Sequence, residues 1–172
     1  GNLGTSLSVS PSTVVADGIA TSTITATLQD QYWNLATDTV DHAIALTSPL
    51  TGSSLSASSC TITASHSSCS VTVKSSRAGA NRITATDTPS GGSGQNITNG
   101  SPATVTFIAG SAYKLAITSA AVTVAAGTCS ALNVEVEDAQ GNATHPSSDV
   151  TLLPTSTSSG ARFYGDASCV TE

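Results

Sequence analysis

Residues 14–34 read VVADGIATSTITATLQDQYWN. Between Thr23 and Asp30, apolar and threonine side chains alternate strictly, which is the period of a strand with one buried face. Ala16-Asp17-Gly18 predicts a turn before this strand, because Asp and Gly tolerate a positive φ. A second turn is predicted from Asp30 to Asn34. The predicted inward positions are Ile24, Ala26 and Leu28.

The same alternation recurs over residues 1–109. Further strands are predicted near residues 7–9, 42–46, 69–73, 81–88 and 105–107, with His42, Ile44 and Leu46 facing inward. Residues 89–102 are rich in Gly, Ser and Asn and are expected to form a mobile loop rather than an element. About seven short strands at this spacing predict an all-β, antiparallel sandwich.

The opening stretch returns, altered, at residues 122–142. A shift of 108 positions superposes Leu7 on Leu115, Val9 on Ile117, Leu28 on Val136, Asp30 on Asp138 and Asn34 on Asn142. A repeat of this length indicates an array of like domains. We predict a complete sandwich at 1–109, a linker at 110–113 and a second sandwich at 114–172. Because the sequence stops soon after Cys169, we expect the second one to be incomplete at its C-terminal end.

Charge and hydropathy limit the function classes. The formal net charge is −6, and only five residues are Lys or Arg. They are scattered along the sequence, whereas nucleic-acid binding needs clustered cations, so no nucleic-acid partner is expected. Because no apolar run approaches the length that spans a bilayer, no membrane insertion is expected in this segment.

The four cysteines, Cys60, Cys69, Cys129 and Cys169, indicate an oxidising compartment. They allow three pairings. Cys60 and Cys69 flank a short segment that could be a hairpin, which favours Cys60 with Cys69 and Cys129 with Cys169. No Cys pair has zinc-binding spacing, so no metal or other cofactor is expected.

Two groups of residues resemble a known family. The Ala16-Asp17-Gly18 turn, the threonine-rich strand and the Asp30 to Asn34 turn look like the bacterial Ig-like domains of the invasin and intimin type. Residues 127–130, 137–142 and 160–169 resemble a related Ig-like repeat of large bacterial surface proteins. The resemblance implies tandem immunoglobulin-like sandwiches in a cell-surface or secreted protein, strung as a stalk that presents an adhesive tip. It implies no catalytic residues.

Trp33 departs from this pattern, since the family and the second copy, at Gly141, have glycine there. The turn must therefore adopt a different backbone or accept strain. Tyr32 and Trp33 are candidates for an exposed aromatic platform that binds a sugar ring or a partner protein. The alternative is that Trp33 covers the end of the sandwich or packs on a neighbouring domain.

The sequence gives little support for a catalytic site or a metal site. His42, His66 and His145 share no ligand spacing with carboxylates, and no Ser lies in a Gly-x-Ser-x-Gly turn, so we expect no enzyme. Asp17, Asp30, Asp38 and Asp41 could gather at one end and bind calcium, but a solvated loop face is favoured. Asn96, Asn99 and Asn142 lie in glycosylation sequons.

Three functions follow, in order of preference. The first is a non-enzymatic stalk or adhesin module at the bacterial cell surface or outside the cell. The second is a self-assembling fibre subunit whose second sandwich is completed by a strand from a neighbouring molecule. The third is a carbohydrate-binding module that uses Tyr32 and Trp33. The expected partners are other copies or further Ig-like domains, or a protein or glycan on a host or neighbouring cell.

Overall fold

The structure is a computed structural model that describes residues 3–92, 95–166 and 168–170, with residues 95 and 96 described by their backbone. Its contacts divide the chain into two compact units, Gly1–Gly110 and Ser111–Glu172. Every regular element assigned in the described residues is a β-strand. The predicted all-β fold class is confirmed.

Ten strands are assigned among the described residues of the first unit. They are β1 (Gly4–Ser10), β2 (Thr13–Val15), β3 (Ser22–Gln29), β4 (His42–Thr47), β5 (Ser53–Leu55), β6 (Ser59–Ile62), β7 (Ser68–Ser75), β8 (Gly79–Pro89), β9 (Gln95–Asn96) and β10 (Ala103–Ile108). One sheet has the order β1-β3-β7-β5, and the other has the order β2-β10-β8-β4-β6 with β9 beside β8. The pairings are antiparallel except that β2 and β10 are parallel.

The core lies between these two sheets and follows the predicted alternation. Ile24, Ala26 and Leu28 on β3 are at most 2% exposed, while the threonines between them face outward. The second sheet contributes apolar side chains that are equally buried, among them Ile44, Ile62, Ile83, Val105 and Phe107. Each strand therefore directs its apolar positions into one shared core, as a half-buried pleated strand must.

Cys60 and Cys69 do not flank a hairpin. Cys60 lies on β6, which pairs with β4, and Cys69 lies on β7, which pairs with β3. The short segment between them therefore crosses from one sheet to the other. The Cys60–Cys69 disulfide, with Cα atoms 6.0 Å apart, links the two sheets.

The expectation of a structureless loop at 89–102 is wrong in its second half. β9 pairs with β8, and Ile97 is 5% exposed and belongs to the core. The Leu7 N–H donates to the Asn99 carbonyl at 3.0 Å, which fixes this segment beside β1. A single apolar residue among Gly, Ser and Asn carries no periodicity, so the pattern could not reveal it.

The first unit has two distinct ends. We call the end that holds Gly4, Gln29 and Asp87 the Asp30 end, and the end that holds Ser10, Ser75 and Ile108 the Ile108 end. β1 begins at the Asp30 end and β10 finishes at the Ile108 end. The chain thus enters and leaves the first unit at opposite ends.

In the second unit, β11 (Lys114–Ile117) pairs with β12 (Val134–Glu137), and these are the strands assigned among its described residues. Leu115 pairs with Val136, whereas Leu7 pairs with Ala26. The first strand is therefore displaced by two residues from the 108-position alignment, a shift that keeps the same side chains on the same face. Cys129 and Cys169 form a disulfide, with Cα atoms 6.2 Å apart. That the second unit is a sandwich of the same kind stays a prediction.

Candidate functional site

The turn after β3 is built on the Asp30 carboxylate. Its Oδ1 accepts the backbone N–H groups of Tyr32 at 2.8 Å and Asn34 at 3.0 Å, and its Oδ2 accepts the Asn34 side-chain amide at 3.1 Å. The hydrogen bond from the Asn34 side chain, followed by those from the backbone, lowers the pKa of Asp30. The ionised carboxylate thus holds the turn closed.

The second unit contains the same turn on Asp138. Its Oδ1 accepts the N–H groups of Gln140 at 2.9 Å and Asn142 at 2.8 Å, and its Oδ2 accepts the Asn142 side-chain amide at 2.9 Å. The backbone bond that closes the turn, from the Asp N–H to the Asn carbonyl, is 2.9 Å long in both units. Two turns 108 positions apart therefore share one hydrogen-bond pattern.

Trp33 keeps the backbone that glycine adopts in this turn. Its φ is 69°, and that of Gly141 is 85°. The turn therefore has the same backbone in both units, and Trp33 is strained in it. The left-handed region costs a residue with a Cβ about 1–2 kcal/mol relative to the right-handed one.

The side chains on this turn face solvent. Tyr32 is 71% exposed, Trp33 63% and Leu35 70%. We call these three residues the aromatic turn. Trp33 does not cover the end of its own sandwich, because a side chain packed on the core would be largely buried.

Two side-chain carboxamides hold the aromatic turn through hydrogen bonds. The Gln29 side-chain amide donates to the Trp33 carbonyl at 3.1 Å, and the Asn99 side-chain amide donates to the Gln29 side-chain oxygen at 3.1 Å. The backbone of Trp33 is therefore held from β3 and from the segment after β9. This chain of contacts explains why Asn99, one of the sequon residues, is tied to the Asp30 end.

A buried imidazole lies at the same end, and the sequence did not reveal its partners. His42 is 4% exposed. Its Nδ1 lies 3.0 Å from Asp87 Oδ1, and its Nε2 lies 3.1 Å from Asp38 Oδ2. The Thr5 hydroxyl of the opposite sheet donates to Asp87. The group therefore joins both sheets, and we call Thr5, Asp38, His42 and Asp87 the imidazole cluster.

The charge state of this cluster follows from its contacts. Burial lowers the pKa of His42, but its hydrogen bonds to Asp38 and Asp87 and their charges outweigh burial, so the pKa is raised. The hydrogen bond from His42 is the main cause that lowers the pKa of Asp38. A sequence signal existed, because a histidine at an inward strand position needs buried polar partners.

The remaining candidate residues do not converge. Asp17 accepts the N–H groups of Ile19 and Ala20, and Asp41 accepts that of Ala64. Asp17 thus stabilises its own turn, whereas Asp41 links the loop before β4 to the segment between β6 and β7. Within residues 3–92, 95–166 and 168–170, no group of three His, Cys, Asp or Glu side chains is arranged to hold a metal ion. Both nitrogens of His42 already face carboxylates. The side chain of Asn96 is outside the described residues.

Two of the cations that are scattered in the sequence line the same groove. Arg77 and Arg82 line an open groove of about 610 Å³ together with Leu50 and Thr51. The groove belongs to the Ile108 end, since Gly79 pairs with Phe107 between these two arginines in the sequence. These two arginines are therefore separated from the aromatic turn.

Comparison with known proteins finds similar solved structures. No family model matches the chain, and no curated protein matches it. Its structure is similar to Ig-like domains of intimin. The D0-D1 domain of intimin is 21% identical with a TM-score of 0.44, and the match covers 66% of this chain and 54% of that one.

Two further solved structures are also similar to this chain. InvD of Yersinia pseudotuberculosis is 20% identical over 81% of this chain and 42% of that chain, with a TM-score of 0.48. Domains 5–6 of the S-layer protein SbsC are 24% identical over 83% of this chain and 71% of that chain, with a TM-score of 0.33. The chain spans about half the length of the intimin D00-D0 and D0-D1 fragments, 45% and 54%. At these TM-scores the similarity assigns no residue of this chain a role.

In the part of the chain that the structure describes, no helix is long and apolar enough to cross a bilayer.

Proposed function

We propose that this chain is a non-enzymatic, load-bearing module of an extracellular or bacterial cell-surface protein, one that joins further Ig-like domains or copies end to end. The observation that carries the proposal is the path of the chain through the first unit. β1 begins at the Asp30 end and β10 finishes at the Ile108 end, so a pulling force on the chain acts along the long axis of the strands.

The parallel pairing of β2 with β10 supports this function. The Thr106 N–H donates to the Ser12 carbonyl and the Ala16 N–H donates to the Ile108 carbonyl, both at 2.8 Å. β2 continues the first strand and β10 is the last strand of the unit, so tension pulls them in opposite directions along their length. Their hydrogen bonds are loaded in shear and must break together, whereas bonds pulled apart at a hairpin break one at a time.

The disulfides support both a mechanical role and a location outside the cytoplasm. A link between Cys60 and Cys69 keeps the two sheets joined when strands are pulled, and such links persist in oxidising compartments outside the cytoplasm. The buried imidazole of His42 is also unsuited to catalysis, because both of its nitrogens are engaged by Asp38 and Asp87. His42 therefore has no nitrogen left to activate a nucleophile.

Single-molecule force spectroscopy on the whole chain, held at its two termini, tests the proposal. We expect one high-force unfolding event for the first unit. Ala16→Pro removes the N–H that bonds Ile108 and should lower that force. Ser59→Pro on β6, which pairs with β4 alone, is the matched control and should lower the melting temperature without a comparable loss of force. Equal unfolding forces for the native chain and Ala16→Pro would contradict a load-bearing β2–β10 pair.

A further inference from the structure

We propose that the aromatic turn is a binding site for a neutral saccharide, with a sugar ring stacked on the indole of Trp33 and its hydroxyls bonded by the Asn34 carboxamide and the Tyr32 phenol. The inference rests on the proposed function, because it supplies a surface module with a contact to a glycan. It concerns a different part of the molecule from the β2–β10 pair.

The fold of the first unit does not require a large side chain at Trp33. Gly141 shows that the turn closes with the same bonds when no side chain is present. Trp33 accepts a left-handed backbone at φ 69° and still leaves 63% of its side chain in solvent. A large residue that strains the backbone and buries little is typical of a functional position.

The backbone that carries the indole is held rigidly. The Asp30 carboxylate, the Trp33 N–H bond to the Asp30 carbonyl at 3.0 Å and the Gln29 amide on the Trp33 carbonyl fix the backbone on both sides of the indole. A ligand that stacks on such a ring orders few protein groups on binding, which preserves affinity.

The polar groups around the indole can hydrogen-bond to sugar hydroxyls. Asn34 places a carboxamide on the turn and Tyr32 adds a phenol, whereas the amides of Gln29 and Asn99 are engaged with Trp33 and Gln29. In the described residues, the structure gives no hydrogen-bond partner to the Tyr32 hydroxyl or the Asn34 carboxamide oxygen. Carboxamides and hydroxyls both donate to and accept from sugar hydroxyls, while the aromatic face contacts the apolar C–H face of a sugar ring.

Charge and size favour a neutral sugar over other ligands. The net charge of −6 and the position of Arg77 and Arg82 in the groove of the Ile108 end disfavour an anionic glycan at this turn. A stable protein partner would bury about 800 Å² on each side. Three side chains on one turn offer much less than that, but enough for one or two sugar rings.

The experiment uses the intrinsic fluorescence of the chain. Trp33 is the one tryptophan in the sequence, so emission excited at the red edge of tryptophan absorption reports this turn. The full chain is first applied to an array of neutral and sialylated glycans. The neutral oligosaccharides that bind are then titrated against the chain in solution. We expect saturable changes in tryptophan emission and retention of neutral structures on the array.

Variants separate a binding role from a structural one. Trp33→Gly should reduce glycan affinity at least tenfold, measured by calorimetry, while the melting temperature stays equal or rises. Trp33→Tyr should retain part of the affinity. Tyr113→Ala, which removes an aromatic side chain that is 76% exposed in the second unit, is the matched control and should bind like the native chain.

The following outcomes would overturn the inference. They are no neutral glycan bound by the native chain, binding of sialylated glycans alone, and equal affinity of Trp33→Gly and the native chain. Capture of a protein through Trp33 without any glycan would likewise reject the saccharide. None of these outcomes changes the force at which β2 and β10 separate, so the load-bearing function is tested independently.

Discussion

Trp33 and Gly141 occupy the same position of the same turn, and both have a positive φ, 69° and 85°. The carboxylate three residues earlier, Asp30 or Asp138, holds each turn with the same hydrogen bonds. The two units therefore differ at this position in the side chain and not in the backbone. Replacing Trp33 by glycine should therefore stabilise the first unit, whereas replacing Gly141 by tryptophan should destabilise the second.

We expect Trp33→Gly to raise the free energy of unfolding of the first unit by up to about 1 kcal/mol, because the strain of the left-handed backbone is removed. The net gain is smaller than the strain, since glycine also makes the unfolded chain more flexible. For a unit of this size, the melting temperature should rise by a few degrees, measured by calorimetry.

The reciprocal variant, Gly141→Trp, is the control. It places a side chain on the left-handed backbone of the second unit and should lower the stability of that unit by about 1–2 kcal/mol. A fall in melting temperature for Trp33→Gly would contradict the strain at Trp33 and indicate that its side chain packs on something.

The imidazole cluster should make stability depend on pH. The pKa of His42 is raised in the folded state, so its contribution is fully present below its ordinary value of about 6.5 and is lost as pH rises through the folded pKa. The pKa of Asp38 is lowered, so its contribution is present above the ordinary value of 3.8 and is lost as pH falls through the folded pKa. Stability should therefore be greatest between these two ordinary values.

His42→Gln should lower the free energy of unfolding at pH 5.5 by roughly 1.5–3 kcal/mol, since hydrogen bonds to charged groups at Asp38 and Asp87 are lost. The loss should be smaller at pH 9. Urea denaturation at both pH values measures it. His66→Gln, at an exposed ring, should follow the native profile. An equal loss for His42→Gln at both pH values would show that the charge of His42 does not contribute.

The Cys60–Cys69 disulfide should stabilise the first unit by roughly 2–3 kcal/mol, as expected for the closure of a loop with a sequence separation of 9. The double variant Cys60→Ala, Cys69→Ala removes that constraint and also the link between the sheets. Chemical denaturation without a reducing agent measures the difference. Because the Cys129–Cys169 bond lies in the other unit, Cys129→Ala with Cys169→Ala should leave the unfolding of the first unit unchanged.

Much of the strand content followed from local pattern. The alternation at Ile24, Ala26 and Leu28 determined which face of β3 is buried, because successive side chains of a strand point to opposite sides. The acidic and amide residues at Asp30 and Asn34 determined a turn, because their side chains bond backbone groups a few positions away. These are short-range effects that the sequence contains in full.

The sequence offered an exposed aromatic pair as one of two possibilities, and it left the backbone of the turn open as well. Glycine at 141 suggested that tryptophan at 33 would change the turn or strain it. The choice depended on the hydrogen bonds of Asp30 and Gln29, which together outweigh the strain of one residue. Such a balance is not visible in residue types alone.

The sequence by itself determined strand faces, turns and the chemistry of the two cysteine pairs. Only the tertiary structure decided which strands share a sheet, and it thereby placed Cys60 and Cys69 in different sheets and β2 parallel to β10. It also brought His42 to Asp87, 45 positions away, and Ile97 into the core. A period of two specifies which side of a strand is apolar, whereas the neighbour of that strand is chosen by the closure of the whole sandwich around one core.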